Sequence, residues 1–159
     1  MKIKLGKAVS HPSAEQVSAL EVSLGTKFTD EYLNFLKGYN GAVPEANVFR
    51  VSDQNSSGVN GFIPLEKIAC EVKFLDSEVS PDFFPIAYAE GGNYVCLPIA
   101  GGHGGVYFLD HEIPGSEALT RMAGSLEEFL DQLQPLDREE IKLKPGQVKK
   151  AWIDQSLLR

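Results

Sequence analysis

The stretch "FPIAYAEGGNYVCLPIAGGHGGVYFLDHE", Phe84 to Glu112, constrains the fold of this chain more than any other. It holds three β-prone runs, Phe84–Glu90, Asn93–Ile99 and Gly105–Glu112. Gly91-Gly92 and the glycine-rich residues 101–105 part them. A parallel pair needs a crossover of a dozen or more residues, whereas connections of two and about five residues suit hairpins. The runs therefore predict consecutive antiparallel strands.

The flanks have a different period. Ser13 with Gln16 forms a capping-box pattern, and Val17, Leu20 and Leu24 follow at helical spacing up to Gly25. This predicts a helix over Ala14–Leu24. Thr29 opens a second helix, with Asp30 and Glu31 in its first turn, where the helix dipole favours acids. Tyr32, Phe35, Leu36 and Tyr39 line one face, and Asn40-Gly41 ends it, both residues tolerating a left-handed backbone. Val48–Val51 reads as a short strand, Asp53–Gly58 as a polar loop, and Val59–Leu65 as a strand ending at Pro64. Residues 64–74 have helical spacing, and "SPDFFP" is a proline-bounded turn. Ser125 opens the last clear helix, with Glu128 as its capping-box partner and Leu126, Phe129, Leu130 and Leu133 as its apolar stripe. A basic tail follows, with a helix expected over Gln147–Leu158. Helices before and after a run of hairpins give an α+β class, with a mainly antiparallel or mixed sheet flanked by helices. The expected organisation is one domain over residues 1–136 and a partly helical C-terminal extension over 137–159.

Charge is uneven along the chain. The total is −7, yet residues 61–140 hold fifteen acids and four bases, a local −11, while residues 141–159 hold one acid and five bases, a local +4. The acidic section repels nucleic-acid phosphates and attracts basic partners. No apolar run is long enough to span a bilayer, and the first residues lack the apolar core of a signal peptide. Cys70 and Cys96 stand apart and read as reduced core residues. A cytoplasmic protein is expected, with neither membrane nor nucleic acid as partner.

The glycines do not spell a phosphate loop. No GK[ST] triplet occurs, and "GGHGG" lies between two strands rather than before a helix. His103, Asp110, His111 and Glu112 are close in sequence, but strand alternation places His111 opposite Asp110 and Glu112 and breaks a simple metal cluster. Cys96 sits between Val95 and Leu97, as an inert thiol would. Neither a metal nor a cofactor is expected. What remains is a set of aromatic, polar and acidic residues around two hairpins: Tyr88, Glu90, Asn93, Tyr94, His103, Asp110, His111 and Glu112, with Tyr107 beside them. Aromatic anchors among acids suit a basic protein surface. The same tyrosines also suit half-buried sheet positions, and the sequence leaves both readings open.

Four stretches in order resemble the SUKH superfamily, which includes fungal cell-wall synthesis regulators and bacterial immunity proteins. "LGTKFTDEYLNFLKGYNGAVP" (Leu24–Pro44) is similar to its opening motif, "GFIPLEKI" (Gly61–Ile68) to its central strand and the segment after it, Phe84–Glu112 to its hairpin region, and "SLEEFLDQL" (Ser125–Leu133) to its closing helix. Thr29 replaces a usual proline, Ala42 a frequent glycine, and Pro98 a common aspartate. The resemblance covers about residues 13–134. It implies an α+β fold and binding rather than catalysis: an immunity-type protein that neutralises a cognate toxin, often a nuclease, and the acidic middle section suits a basic one. Two alternatives stand beside it. One is a regulatory or scaffold module that binds an endogenous protein. The other is a hydrolase using carboxylates or His111 near the sheet. Self-association through the tail is a further expectation.

Overall fold

The computed structural model describes residues 5–80, 82–99 and 104–135. Within them the order is α1 (Ala14–Leu24), α2 (Asp30–Tyr39), β1 (Val48–Arg50), β2 (Ser56–Phe62), α3 (Leu65–Val72), β3 (Phe83–Ala89), β4 (Asn93–Pro98), β5 (Val106–Leu109), β6 (Leu119–Ala123) and α4 (Leu126–Gln132). The expected helix at Gln147–Leu158, the tail's self-association and His103 lie outside the described residues.

The helix boundaries follow from local chemistry. Ser13 and Gln16 make the full capping box of α1, and Gly25, at φ 71°, closes it. Thr29 Oγ1 accepts from the Tyr32 amide at the start of α2. Ser125 Oγ accepts from the Glu128 amide of α4, but the Glu128 carboxylate reaches Gly124 N rather than Ser125 N. The expected reciprocal box is thus displaced by one residue.

The sheet is a six-stranded meander in the order β1-β2-β3-β4-β5-β6, with each neighbouring pair antiparallel. The class is α+β. The sheet curls strongly. A flat sheet would hold β1 and β5 about 19 Å apart, yet the rings of Phe49 on β1 and Phe108 on β5 lie 5.8 Å apart. Phe129 of α4 fills the curl, 5.3 Å from Phe49. After α4 the chain returns to the free edge of β1, where Val48 and Gln134 exchange two backbone hydrogen bonds of 2.9 Å. That pairing covers an edge that would otherwise be open.

The two faces carry different cores. Phe84, Ile86, Val95, Val106 and Phe108 of the concave face belong to one core with buried residues from all four helices. The outer face has a smaller cluster of Leu75, Val79, Cys96, Leu109 and Ala118, supplied by the α3–β3 connection and the turn after β5.

Several expectations change. The polar loop is tighter than Asp53–Gly58: Val51 N donates to Asn55 O, and β2 already begins at Ser56. The β3–β4 connection takes three residues, Glu90–Gly92, since Ala89 pairs with Asn93. β5 ends at Leu109, so Asp110–Glu112 are not strand residues. β6 was not expected; its Thr120 and Arg121 are exposed, and the short edge strand lacks a clean alternation. Cys96 is buried as expected, whereas Cys70 is exposed. Asn40 has φ −56°, so Gly41 at φ 77° alone makes the left-handed step. The Asn40 side chain is fully buried. Its Oδ1 accepts the first amide of α3, Leu65 N, at 2.8 Å, and its Nδ2 donates to Ser10 Oγ at 2.9 Å.

Candidate functional site

The residues expected to meet a partner gather at one end of the β3–β4–β5 strands. The glycines of the β3–β4 turn set this up. Gly91 and Gly92 have φ of 77° and 85°, values that favour glycine. Gly92 has a second reason to lack a side chain: a Cβ there would stand 3.3 Å from the His111 ring. The ring is held where it is by Asn93. Asn93 Oδ1 accepts from His111 N at 2.9 Å and meets His111 Nδ1 at 2.7 Å. An amide oxygen only accepts, so Nδ1 carries the proton of this pair.

Tyr88 and Tyr94 face each other across β3 and β4, with rings 6.2 Å apart. Both hydroxyls donate to the Glu71 carboxylate of α3, Tyr88 at 2.9 Å and Tyr94 at 2.7 Å. Burial, then the hydrogen bond to Glu71 and its negative charge, push the Tyr88 phenol up to about 12. The same causes in the same order raise Tyr94. One carboxylate thus ties α3 to the outer sheet face.

Two matching turns lie beside this clamp. In Asp76-Ser77-Glu78, Asp76 Oδ1 accepts from Glu78 N at 2.8 Å. In Asp110-His111-Glu112, Asp110 Oδ1 accepts from Glu112 N at 3.0 Å. Each aspartate therefore folds its own backbone into an Asx turn and leaves the following glutamate exposed. The first turn is tied to the segment that follows the second: Asp76 Oδ2 accepts from Gly115 N at 3.4 Å. Two large apolar side chains flank them, Phe74 at 71% exposure and Ile113 at 39%. Glu90 is exposed at the hairpin tip, and its carboxyl group lies over Gly58 beside the Asn47 amide.

The structure thus brings together seven of the eight expected residues and adds Glu71, Phe74, Asp76 and Glu78. The repeated D-x-E pattern was readable in the sequence as two Asx turns. Their adjacency was not, because it depends on the α3–β3 connection crossing the outer face. Tyr107 lies farther along β5, packed on Phe83 with rings 4.9 Å apart.

The chemistry of the rim is that of a surface. The rim gathers the acids Glu71, Asp76, Glu78, Glu90, Asp110 and Glu112, and Lys73 is the base that stands among them in the α3–β3 stretch. Among the described residues no group of three His, Cys, Asp or Glu is placed to hold a metal ion. Burial pushes the Cys96 thiol up, away from the thiolate that a nucleophile requires. Two clefts lie elsewhere. One of about 210 Å³ runs between the α1–α2 connection and the start of α4, and another of about 600 Å³ lies between α1 and α2. Among the described residues no helix is long and apolar enough to cross a membrane.

Comparison with known proteins agrees with this architecture. A curated relative, the SPbeta prophage-derived uncharacterized protein YokK of Bacillus subtilis (strain 168), is 27% identical over 165 residues, covering 86% of this chain and 83% of its own. The model of the SMI1 / KNR4 family (SUKH-1) matches residues 11–132, the span that holds every helix and strand described above, and the chain belongs to that family.

Proposed function

We propose that this protein is an immunity-type binding protein that neutralises a basic protein toxin by covering its working surface. The observation that supports this most is the pair of Asx turns, the first of them tied to the segment after the second. Each leaves a glutamate exposed, Glu78 in one and Glu112 in the other, and exposed Phe74 and Ile113 stand next to them in the chain. An acidic rim with apolar anchors fits a basic groove, such as the one a nuclease uses for nucleic acid, and speeds encounter by steering. The clamp of Glu71 on Tyr88 and Tyr94 holds the sheet beneath the rim, so little ordering is needed on binding. Family membership is consistent with binding, and so is the prophage origin named for the Bacillus relative. The protein would act in the cytoplasm of the cell that makes it.

The test is co-expression with the toxic domain encoded beside it. The expected result is rescue of growth and a salt-sensitive complex. The variant Glu78→Lys/Glu112→Lys should associate about tenfold or more slowly at low salt. Unchanged toxicity without a complex, or a complex indifferent to both salt and the charge reversal, would overturn the reading.

A further inference from the structure

Glu78, Glu90 and Glu112 are exposed at this rim, and the chain carries a segment suited to them. Gln134 is fixed to Val48 by two hydrogen bonds. Val48 pairs with Gly58, and the Glu90 carboxyl group lies over Gly58. The C-terminal segment therefore leaves the domain about 10 Å, two strand spacings, from the acidic hairpin tip. Residues 141–159 follow with Lys142, Lys144, Lys149, Lys150 and Arg159 against the single acid Asp154, and with Trp152, Ile153, Leu157 and Leu158 among them. From Gln134 to Lys142 an extended chain reaches about 26 Å, far enough to bring these bases onto the rim. Basic and apolar residues are thus tethered beside an acidic face that exposes Phe74 and Ile113.

We infer that the basic C-terminal segment, residues 141–159, docks on the acidic rim of its own chain and competes there with any external basic partner. A tether of so few residues holds the segment at an effective concentration on the order of millimolar, so even a weak contact is populated. An incoming partner must displace the segment, which selects for partners more basic than the chain's own tail. The inference shares the rim with the toxin-binding reading but does not require a toxin, so the two fail separately.

Trp152 is the chain's only tryptophan and reports on the segment without a label. The experiment uses the full chain and acrylamide quenching of its tryptophan fluorescence. At low salt Trp152 should be shielded, with a quenching constant roughly half that of the Glu78→Lys/Glu112→Lys variant, as half-occupied docking at millimolar effective concentration requires. High salt should abolish the difference. Lys142→Glu/Lys144→Glu/Lys149→Glu/Lys150→Glu, which leaves the described domain untouched, should also release Trp152. Equal quenching of wild type and rim variant at low salt would overturn the inference. So would shielding that survives the rim substitutions. Shielding that grows with protein concentration would assign the segment to a second copy and overturn it as well.

Discussion

The two faces of the curled sheet divide the work of the molecule. The concave face is apolar and continuous, and all four helices contribute residues to its core. The outer face has a core of five buried residues and spends the rest of its surface on turns, acids and two tyrosines tied to Glu71. One face supplies stability. The other supplies a charged relief whose shape depends on hydrogen bonds within turns. Substitutions should separate these roles cleanly.

The largest effect is expected on the concave face. Phe129 of α4 is fully buried against Phe49 of β1, and Phe129→Ala should cost about 3–5 kcal/mol by denaturant unfolding. A loss below about 1 kcal/mol would mean that the curl is not packed as described. Next comes Asn40→Ala, which strands the buried Leu65 amide and should cost about 1–3 kcal/mol. Gly92→Ala, at the rim, should cost about 1–2 kcal/mol from the left-handed backbone alone. It should also move the His111 ring resonances; unmoved resonances would separate His111 from the turn.

Alkaline titration probes the Glu71 clamp. The Tyr88 phenol is raised from 10.0 to about 12, so the fold favours its protonated form. The resulting stabilisation is complete below pH 10 and is lost as pH rises from 10 towards 12. Burial is the largest single cause and persists without the carboxylate, so Glu71→Gln should lower the phenol's titration only part of the way to 10.0. A complete return, read by tyrosinate absorbance, would mean that the carboxylate and not burial dominates. The smallest stability effect belongs to Glu78→Lys/Glu112→Lys, each substitution expected within about 0.5 kcal/mol, since the backbones of these residues make the turn bonds. A large loss there would show that the outer face bears stability too.

The same division explains what could be read from the sequence. α1 was legible to the residue because both of its ends are decided locally, by Ser13 with Gln16 and by Gly25. The three central strands were legible from β-prone runs and glycine turns. β6 was not, because an exposed edge strand such as Leu119–Ala123 lacks a buried face to impose alternation. At the rim, residue types alone pointed to Tyr88, Glu90, Asn93, Tyr94 and Asp110–Glu112. Their arrangement depends on contacts across distant positions: Glu71 with Tyr94, Asp76 with Gly115, His111 with Asn93. Asn40 shows the limit well. As a helix stop it was half right, while its main role, holding α3 and Ser10, depends on residues 25 and 30 positions away.

The clasp between Val48 and Gln134 bears on how the chain is made. It joins positions 86 residues apart, so a ribosome must release α4 and the residues after it before the curl can close. Until then β1 offers an open strand edge and Phe49 lacks the ring of Phe129. The nascent chain is therefore most exposed to misassociation in the interval before its last helix emerges, and a stop shortly before Leu126 would leave that edge uncovered for good.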